Sequence, residues 1–278
     1  MSSRDQSAPD AVHPTSSGQA GRLLRMLLPA LVLAAVMGLW EAVVRINAIP
    51  PYVLPSPLNV VITLAQDWNL LFSSLLVTLV TTLEGFVAAA IGGIVLALLF
   101  SRSTWLEYAL LPYAIVLQVT PVIAIAPLLL IYLPQPVAVV ACAWIVAFFP
   151  VLSNTMLGLK SVDRNLAGLF TLYGASPLQT LGLLRLPSAL PYMLGGLRIA
   201  GGLSLIGAVV AEIAAGSAGA GSGLAYRIAE SSYRLNIPRM FAALLLLSVA
   251  GIVIYMTLSL ASYLVLRRWH ESALGKDS

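Results

Sequence analysis

Charge is what this chain lacks: Asp, Glu, Lys and Arg make up 9% of its 278 residues. A soluble domain carries about a quarter charged residues, so this polypeptide cannot cover a water-facing surface. Cysteine is nearly absent too. Cys142 is the single one and lies in an apolar run, which excludes an intrachain disulfide and reads as a small buried hydrophobe. The two histidines, His13 and His270, sit near opposite ends, so no paired-histidine metal spacing exists. Neither the phosphate loop G-x-x-x-x-G-K-[ST] nor the nucleophile elbow G-x-S-x-G occurs. These absences argue against a membrane-embedded enzyme and against a one-chain ATP-driven pump. Any active transport draws its energy from a partner or an ion gradient.

Apolar sequence fills the chain instead: 59% of residues are hydrophobic and the mean hydropathy is +0.94. Six runs are long enough to cross a bilayer, at about 23–44, 73–100, 106–132, 136–157, 192–214 and 241–266. The expectation is an all-α integral membrane protein of six spans, its membrane domain covering residues 23–270. Pro121, Pro127 and Pro150 fall inside spans three and four, where kinks are tolerable if neighbours satisfy the freed carbonyls. Residues 1–22 are rich in Ser, Ala, Gly, Gln and Pro and read as a disordered tail, and residues 271–278 as a second short tail. The first span is too long for a signal-peptide core and reads as uncleaved.

Net charge is +4 and the sequence pI about 9.4. In a membrane protein that excess belongs to cytoplasmic loops, not to nucleic-acid binding. With both termini inside, ten Lys and Arg residues fall on the cytoplasmic side and four outside, so the termini and the polar loop at 158–191 are expected in the cytoplasm. Residues 45–72 are expected outside, with Pro50, Pro51, Pro55 and Pro57 stiffening an extended approach to the second span. The run from Gly216 to Gly223 reads as a flexible turn into a short outer helix.

The loop at 158–191 is the most patterned polar stretch. Asp163 suits the N-cap of a short helix that carries Leu166, Leu169, Phe170 and Tyr173 along one face. Gly174 suits the left-handed residue that ends it, followed by Ala175. Ser176-Pro177 then supplies an N-cap and first-turn proline for a second short helix. Two short helices bent at a glycine make a compact knob. Gly174, then nine residues, then Leu184-Arg185-Leu186-Pro187, resembles the cytoplasmic motif of binding-protein-dependent ABC importer permeases, written E-A-A, three residues, G, nine residues, I-x-L-P. Gly174, Leu186 and Pro187 match, and Leu184 replaces the isoleucine. Gly168, Leu169 and Phe170 stand where the E-A-A triplet is usual. Residues 54–270 are similar to the nitrate, sulfonate and taurine permeases through Leu54-Pro55-Ser56-Pro57, Thr78-Leu79, Gly85-Phe86, Phe149-Pro150, Gly196-Leu197-Arg198, Ala211-Glu212 and Arg267-Arg268-Trp269.

That resemblance implies a type I importer permease fold in the cell inner membrane, probing a cytoplasmic ATPase with the 158–191 coupling loop. The coupling residues it implies are Asp163, Gly168, Phe170, Tyr173, Gly174, Ala175, Ser176, Leu184, Leu186 and Pro187. It implies a homodimer, an ABC ATPase subunit that uses the ATP, an extracytoplasmic solute-binding protein, and no cofactor on this chain. Solutes of the nitrate, sulfonate or taurine type, or related organic compounds including vitamin precursors, follow from the same likeness. A secondary transporter driven by an ion gradient is the competing reading. It requires an inverted repeat and a polar broken-helix site at mid-membrane, and no convincing repeat is present.

Small residues recur every fourth position in span five, at Gly196, Ala200, Ser204 and Ala208, and in span two, at Gly85, Ala89, Gly93, Ala97 and Ser101. Such ladders let helix backbones approach closely. In span two this reads as packing within one subunit. In span five the resemblance implies a place near the dimer axis, along the pathway. Three acids lie in the spans. Glu41 and Glu212 are near outer ends, where a side chain can reach the interface. Glu84 lies deeper and reads as an internal hydrogen-bonding or pathway group, or a partner of Arg198.

Overall fold

A computed structural model describes residues 18–216 and 221–267, with side chains from Leu27 onward. The expected tails, up to residue 17 and over 271–278, lie outside the described residues, as do Arg268 and Trp269. The described residues are all-helical. In chain order the helices are α1 (Gly18–Ile46), α2 (Pro57–Gln66), α3 (Trp68–Arg102), α4 (Thr104–Val119), α5 (Val122–Tyr132), α6 (Gln135–Lys160), α7 (Arg164–Leu172), α8 (Pro177–Thr180), α9 (Leu186–Ala215), α10 (Leu224–Tyr233) and α11 (Ile237–Leu266). A π-turn, Leu181–Arg185, joins α8 to α9.

Five of the expected spans appear as helices long and apolar enough to cross a membrane: α1, α3, α6, the continuous α8–α9 unit and α11. The sixth, expected as one run at 106–132, is the pair α4 and α5, bent by 100° between Val119 and Val122. Pro121 has no N–H for the helix ladder and holds Thr120 in an extended conformation, φ −73° and ψ 123°. The break is therefore written in the proline, but sharper than a kink. The segment at 45–72 also differs from an extended strap, because it contains α2. Ser56 accepts a hydrogen bond from the Asn59 N–H at 3.3 Å, and Pro57 takes the first helical position.

Helices α3, α6 and α9 form the centre. Their small residues set how closely they approach. A Cβ on Gly85 would lie 2.5 Å from the Ala143 Cβ, and one on Gly207 2.7 Å from the Cys142 carbonyl. Gly93 meets Val151 and Leu152 of α6 in the same way. The span-two ladder thus packs within the chain. The span-five ladder also meets neighbouring helices of the same chain. Gly196 abuts Asn154 and Pro150 of α6, and Ala200 lies in the cluster with Ala147, Phe148 and Val151. The Ser204 hydroxyl donates to the Thr82 carbonyl of α3 at 2.8 Å, and Ala208 packs with Cys142 and Ala143. Cys142 is fully buried. A four-residue ladder specifies close approach without naming the neighbour, and here the neighbours are α3 and α6 of the same subunit.

Around this centre, α1 and α11 expose apolar side chains. Leu31, Leu33 and Leu39 on α1 are each more than half exposed, as are Ile252, Met256 and Leu260 on α11. Such surfaces suit hydrocarbon, not water. At one end, Asp67 accepts two hydrogen bonds from Arg239, at 2.6 and 3.0 Å, tying the start of α3 to the start of α11.

Candidate functional site

The loop between α6 and α9 is built as a rigid knob. Asp163 Oδ1 accepts from the Asn165 and Leu166 N–H groups at 2.6 and 3.4 Å, capping α7 as its position predicts. The other end of α7 closes as a Schellman turn. The Ala175 N–H donates to the Phe170 carbonyl at 2.9 Å and the Gly174 N–H to Thr171 at 3.1 Å, with Gly174 at φ +67°. Ser176 then caps α8 in a reciprocal box. Its hydroxyl accepts from the Gln179 N–H at 3.2 Å, and the Gln179 side chain accepts from the Ser176 N–H at 2.7 Å.

One expectation changes. The second helix of the knob is not separate: α8 runs through the π-turn into α9, so residues 177–215 form one helical unit. Leu186 N–H reaches back to the Leu181 carbonyl, a five-residue bond that widens the ladder just before Pro187. Leu184 is buried at the base, Leu186 packs on the central cluster, and Gly158 of α6 leaves no room for a Cβ beside Ala189. The tip is open. Leu172 and Tyr173 are 86% and 82% exposed, and Leu166 and Leu169 about half exposed. Phe170 is half-buried, while Gly168 has nothing within 4 Å of a built Cβ.

At the opposite end of α9 the carboxyl of Glu212 is buried, not at the surface as its place near a helix end suggests. Glu212 Oε2 accepts from the Thr78 hydroxyl at 2.9 Å and from the Ala225 N–H at 3.1 Å. Thr78 Oγ1 in turn accepts from the Leu224 N–H at 2.8 Å. Gly223 presses on this carboxyl so closely that no Cβ fits. One acid therefore pins the start of α10 to α3 and α9. The sequence carries only a faint sign of it, a threonine in an apolar helix and a glycine before a short helix. Glu41, by contrast, is partly exposed and pairs with Arg45.

Glu84 is exposed, sits near the midpoint of α3, and forms no ion pair with Arg198. The Arg198 Nε is buried without a hydrogen-bond partner among the described residues.

Residues 89–273 match the family described as binding-protein-dependent transport system inner membrane component. The chain is 36% identical over 234 residues to the formylaminopyrimidine transport permease protein of Halalkalibacterium halodurans, covering 84% of this chain and 92% of that one. It is 33% identical over 260 residues to the riboflavin transport system permease protein of Chloroflexus aurantiacus, covering 90% and 94%. A crystal structure of an amino acid ABC transporter with histidines superposes with a TM-score of 0.59 at 20% identity, over 74% of this chain and 97% of that one. That likeness concerns the fold. Family members are transport proteins, not enzymes, and bind no cofactor themselves; they imply an ATPase and a solute-binding protein as partners. With its membrane-crossing helices, its knob between α6 and α9, and a family match over most of its length, this chain belongs to the binding-protein-dependent ABC transporter permeases and is a multi-pass membrane subunit of such a system.

Proposed function

We propose that two copies of this chain form the channel of an importer, with both termini and the knob in the cytoplasm. The knob docks into a cleft of the partner ATPase. Closure of the ATPase on ATP draws the two knobs together and rocks the helices from inward-open to outward-open. A solute-binding protein then loads the cavity from outside. The channel performs no chemistry; it has two conformations whose populations the ATPase biases. The observation that carries this reading is the contrast within residues 163–187: a base fixed by Leu184, Leu186 and Pro187, and a capped tip that presents Leu172 and Tyr173 to a partner. Exposed apolar side chains on a structured knob mark a protein contact. The helical continuity from α8 into α9 supplies the lever.

Sidedness is tested by labelling a Thr180→Cys variant in intact cells, on a Cys142→Ala background. We expect no reaction with a membrane-impermeant maleimide until the membrane is opened. Labelling from outside would overturn the reading.

The solute we propose is a small heterocyclic vitamin precursor or related organic compound, ahead of nitrate, sulfonate or taurine. The names of two relatives, for formylaminopyrimidine and riboflavin transport, support this. Glu84 we assign to the pathway or its dimer border. A carboxylate on the mid-span surface of α3 costs several kcal/mol in hydrocarbon, so that stretch faces water or the second copy. Glu84→Gln should lower uptake of a labelled pyrimidine severalfold at unchanged membrane abundance. Unchanged uptake would remove Glu84 from the pathway, and uptake of nitrate alone would reverse the solute order.

A further inference from the structure

Beside the knob lies a polar cavity of about 420 Å³, between the end of α3 and the α7–α8 corner. Ser101, Arg102, Thr171, Thr180 and Arg185 supply its polar lining. Two guanidinium groups border one space, and no carboxylate lines it. Two carboxylates of the neighbouring segments are engaged in other contacts: Glu107 pairs with Lys160, and Asp163 caps α7. Arg102 is exposed and forms no ion pair or hydrogen bond among the described residues. Arg185 reaches only the Ser101 carbonyl, at 3.5 Å, the far limit of a hydrogen bond. Both side chains bring positive charge to this one space, which favours an anion there.

The cavity also stands at a definite depth. Helix α3 has 35 residues and is about 52 Å long, against a hydrocarbon layer of about 30 Å. With its apolar length centred in the bilayer, the Arg102 end of α3 stands just outside the headgroup layer, within reach of its long side chain. Trp105 and Tyr108, 78% and 77% exposed, follow it on α4, and aromatic side chains collect at this level. Arginine forks match phosphate oxygens; the Thr171 and Thr180 hydroxyls donate to the Ala167 and Ser176 carbonyls, so the two arginines are the donors that serve this space.

We propose that Arg102 and Arg185 bind a phosphate group in this cavity, as carried by an anionic phospholipid headgroup or by free inorganic phosphate. A ligand there touches α3, the Schellman corner and the π-turn at once, and so links the lipid composition of the membrane to the position of the knob. The inference rests on the loop standing at a membrane surface, and not on which ATPase it meets.

The test uses the full-length chain in nanodiscs of phosphatidylglycerol or phosphatidylcholine, with retained lipid read by native mass spectrometry after extraction. A parallel calorimetric titration uses inorganic phosphate in zwitterionic detergent. We expect preferential retention of phosphatidylglycerol, falling roughly fivefold in Arg102→Gln and on the order of thirtyfold when Arg185→Gln is added. Arg102→Lys should retain most of it. Binding of inorganic phosphate without a lipid preference would assign the same site to a soluble phosphate. The proposal fails if the folded single variant, checked by its melting temperature, retains lipid and binds phosphate like the wild type. It also fails if the substitutions weaken only ATPase recovery, since the arginines then meet a protein carboxylate. Loss of ATPase in a Gly174 variant that keeps its lipid would leave this site standing and bear on the knob alone.

Discussion

Gly174→Val should leave the protein in the membrane at near-normal abundance while recovery of its ATPase and uptake of solute both fall, by roughly tenfold for a strain of about 1–3 kcal/mol at the corner. Gly174 holds φ +67°, and nothing lies within 4 Å of a Cβ built there. The penalty is thus one of backbone conformation, not of crowding. An ordinary residue pays about 1 kcal/mol in this region and a β-branched one more. The chain itself contains the control. Leu235 ends α10 at φ +54°, with the Asn236 N–H donating to Ser231 and the Leu235 N–H to Ser232. That is the same pair of bonds without a glycine. An unbranched side chain is therefore tolerated at such a corner, and Gly174→Ala should couple nearly normally. Valine should open the corner, release the two Schellman bonds, and let α7 swing away from α8. The spans bury their own backbone hydrogen bonds and should still insert. Abundance, ATPase co-purification and uptake are the three measurements. Normal uptake by the valine variant would remove the knob from its coupling role.

Glu212→Ala should destabilise the junction of α9 and α10 by about 1–3 kcal/mol, whereas Glu212→Gln should stay near wild type. The carboxyl accepts from Thr78 and from the Ala225 N–H in a buried place. Alanine leaves the Ala225 donor without a partner, and a buried unpaired N–H carries its full desolvation cost. Thr78 loses less, because its hydroxyl can turn to the Ser74 carbonyl, 3.3 Å away. Glutamine keeps an oxygen in the same position. The pair separates hydrogen-bond geometry from charge. Melting in detergent gives the stability, and limited proteolysis between Gly216 and Leu224 reports whether the start of α10 comes loose. If glutamine proves as damaging as alanine, charge, not geometry, holds this end together.

Much of the knob was legible in the sequence because its signals are local. Asp163, Gly174 and Ser176-Pro177 each act on groups within a few residues, through a cap, a left-handed turn and a first-turn proline. The continuity of α8 into α9 was not legible. The helix reaches Pro187 through the widened turn at 181–185, and no local pattern announces that turn. The chemistry of Glu212 was hidden for another reason. Its partners, Thr78 and Ala225, come from different helices, and no spacing in the chain relates them. Arg102 and Arg185 are likewise 83 positions apart and border one cavity only because α3 ends beside the α7–α8 corner.

The sequence by itself determined the solvent of this protein, its helical class, most of its spans and the corner at Gly174. Each of these follows from composition or from interactions along one helix, which a linear pattern records. Tertiary structure decided which faces the small-residue ladders meet, that the run at 106–132 turns through 100° at Pro121, that Glu212 is buried, and that two arginines share a cavity. Those outcomes depend on distances between segments remote in sequence. The hydrophobic character that places such segments in a membrane is shared by all of them, and so carries no information about which pairs will touch.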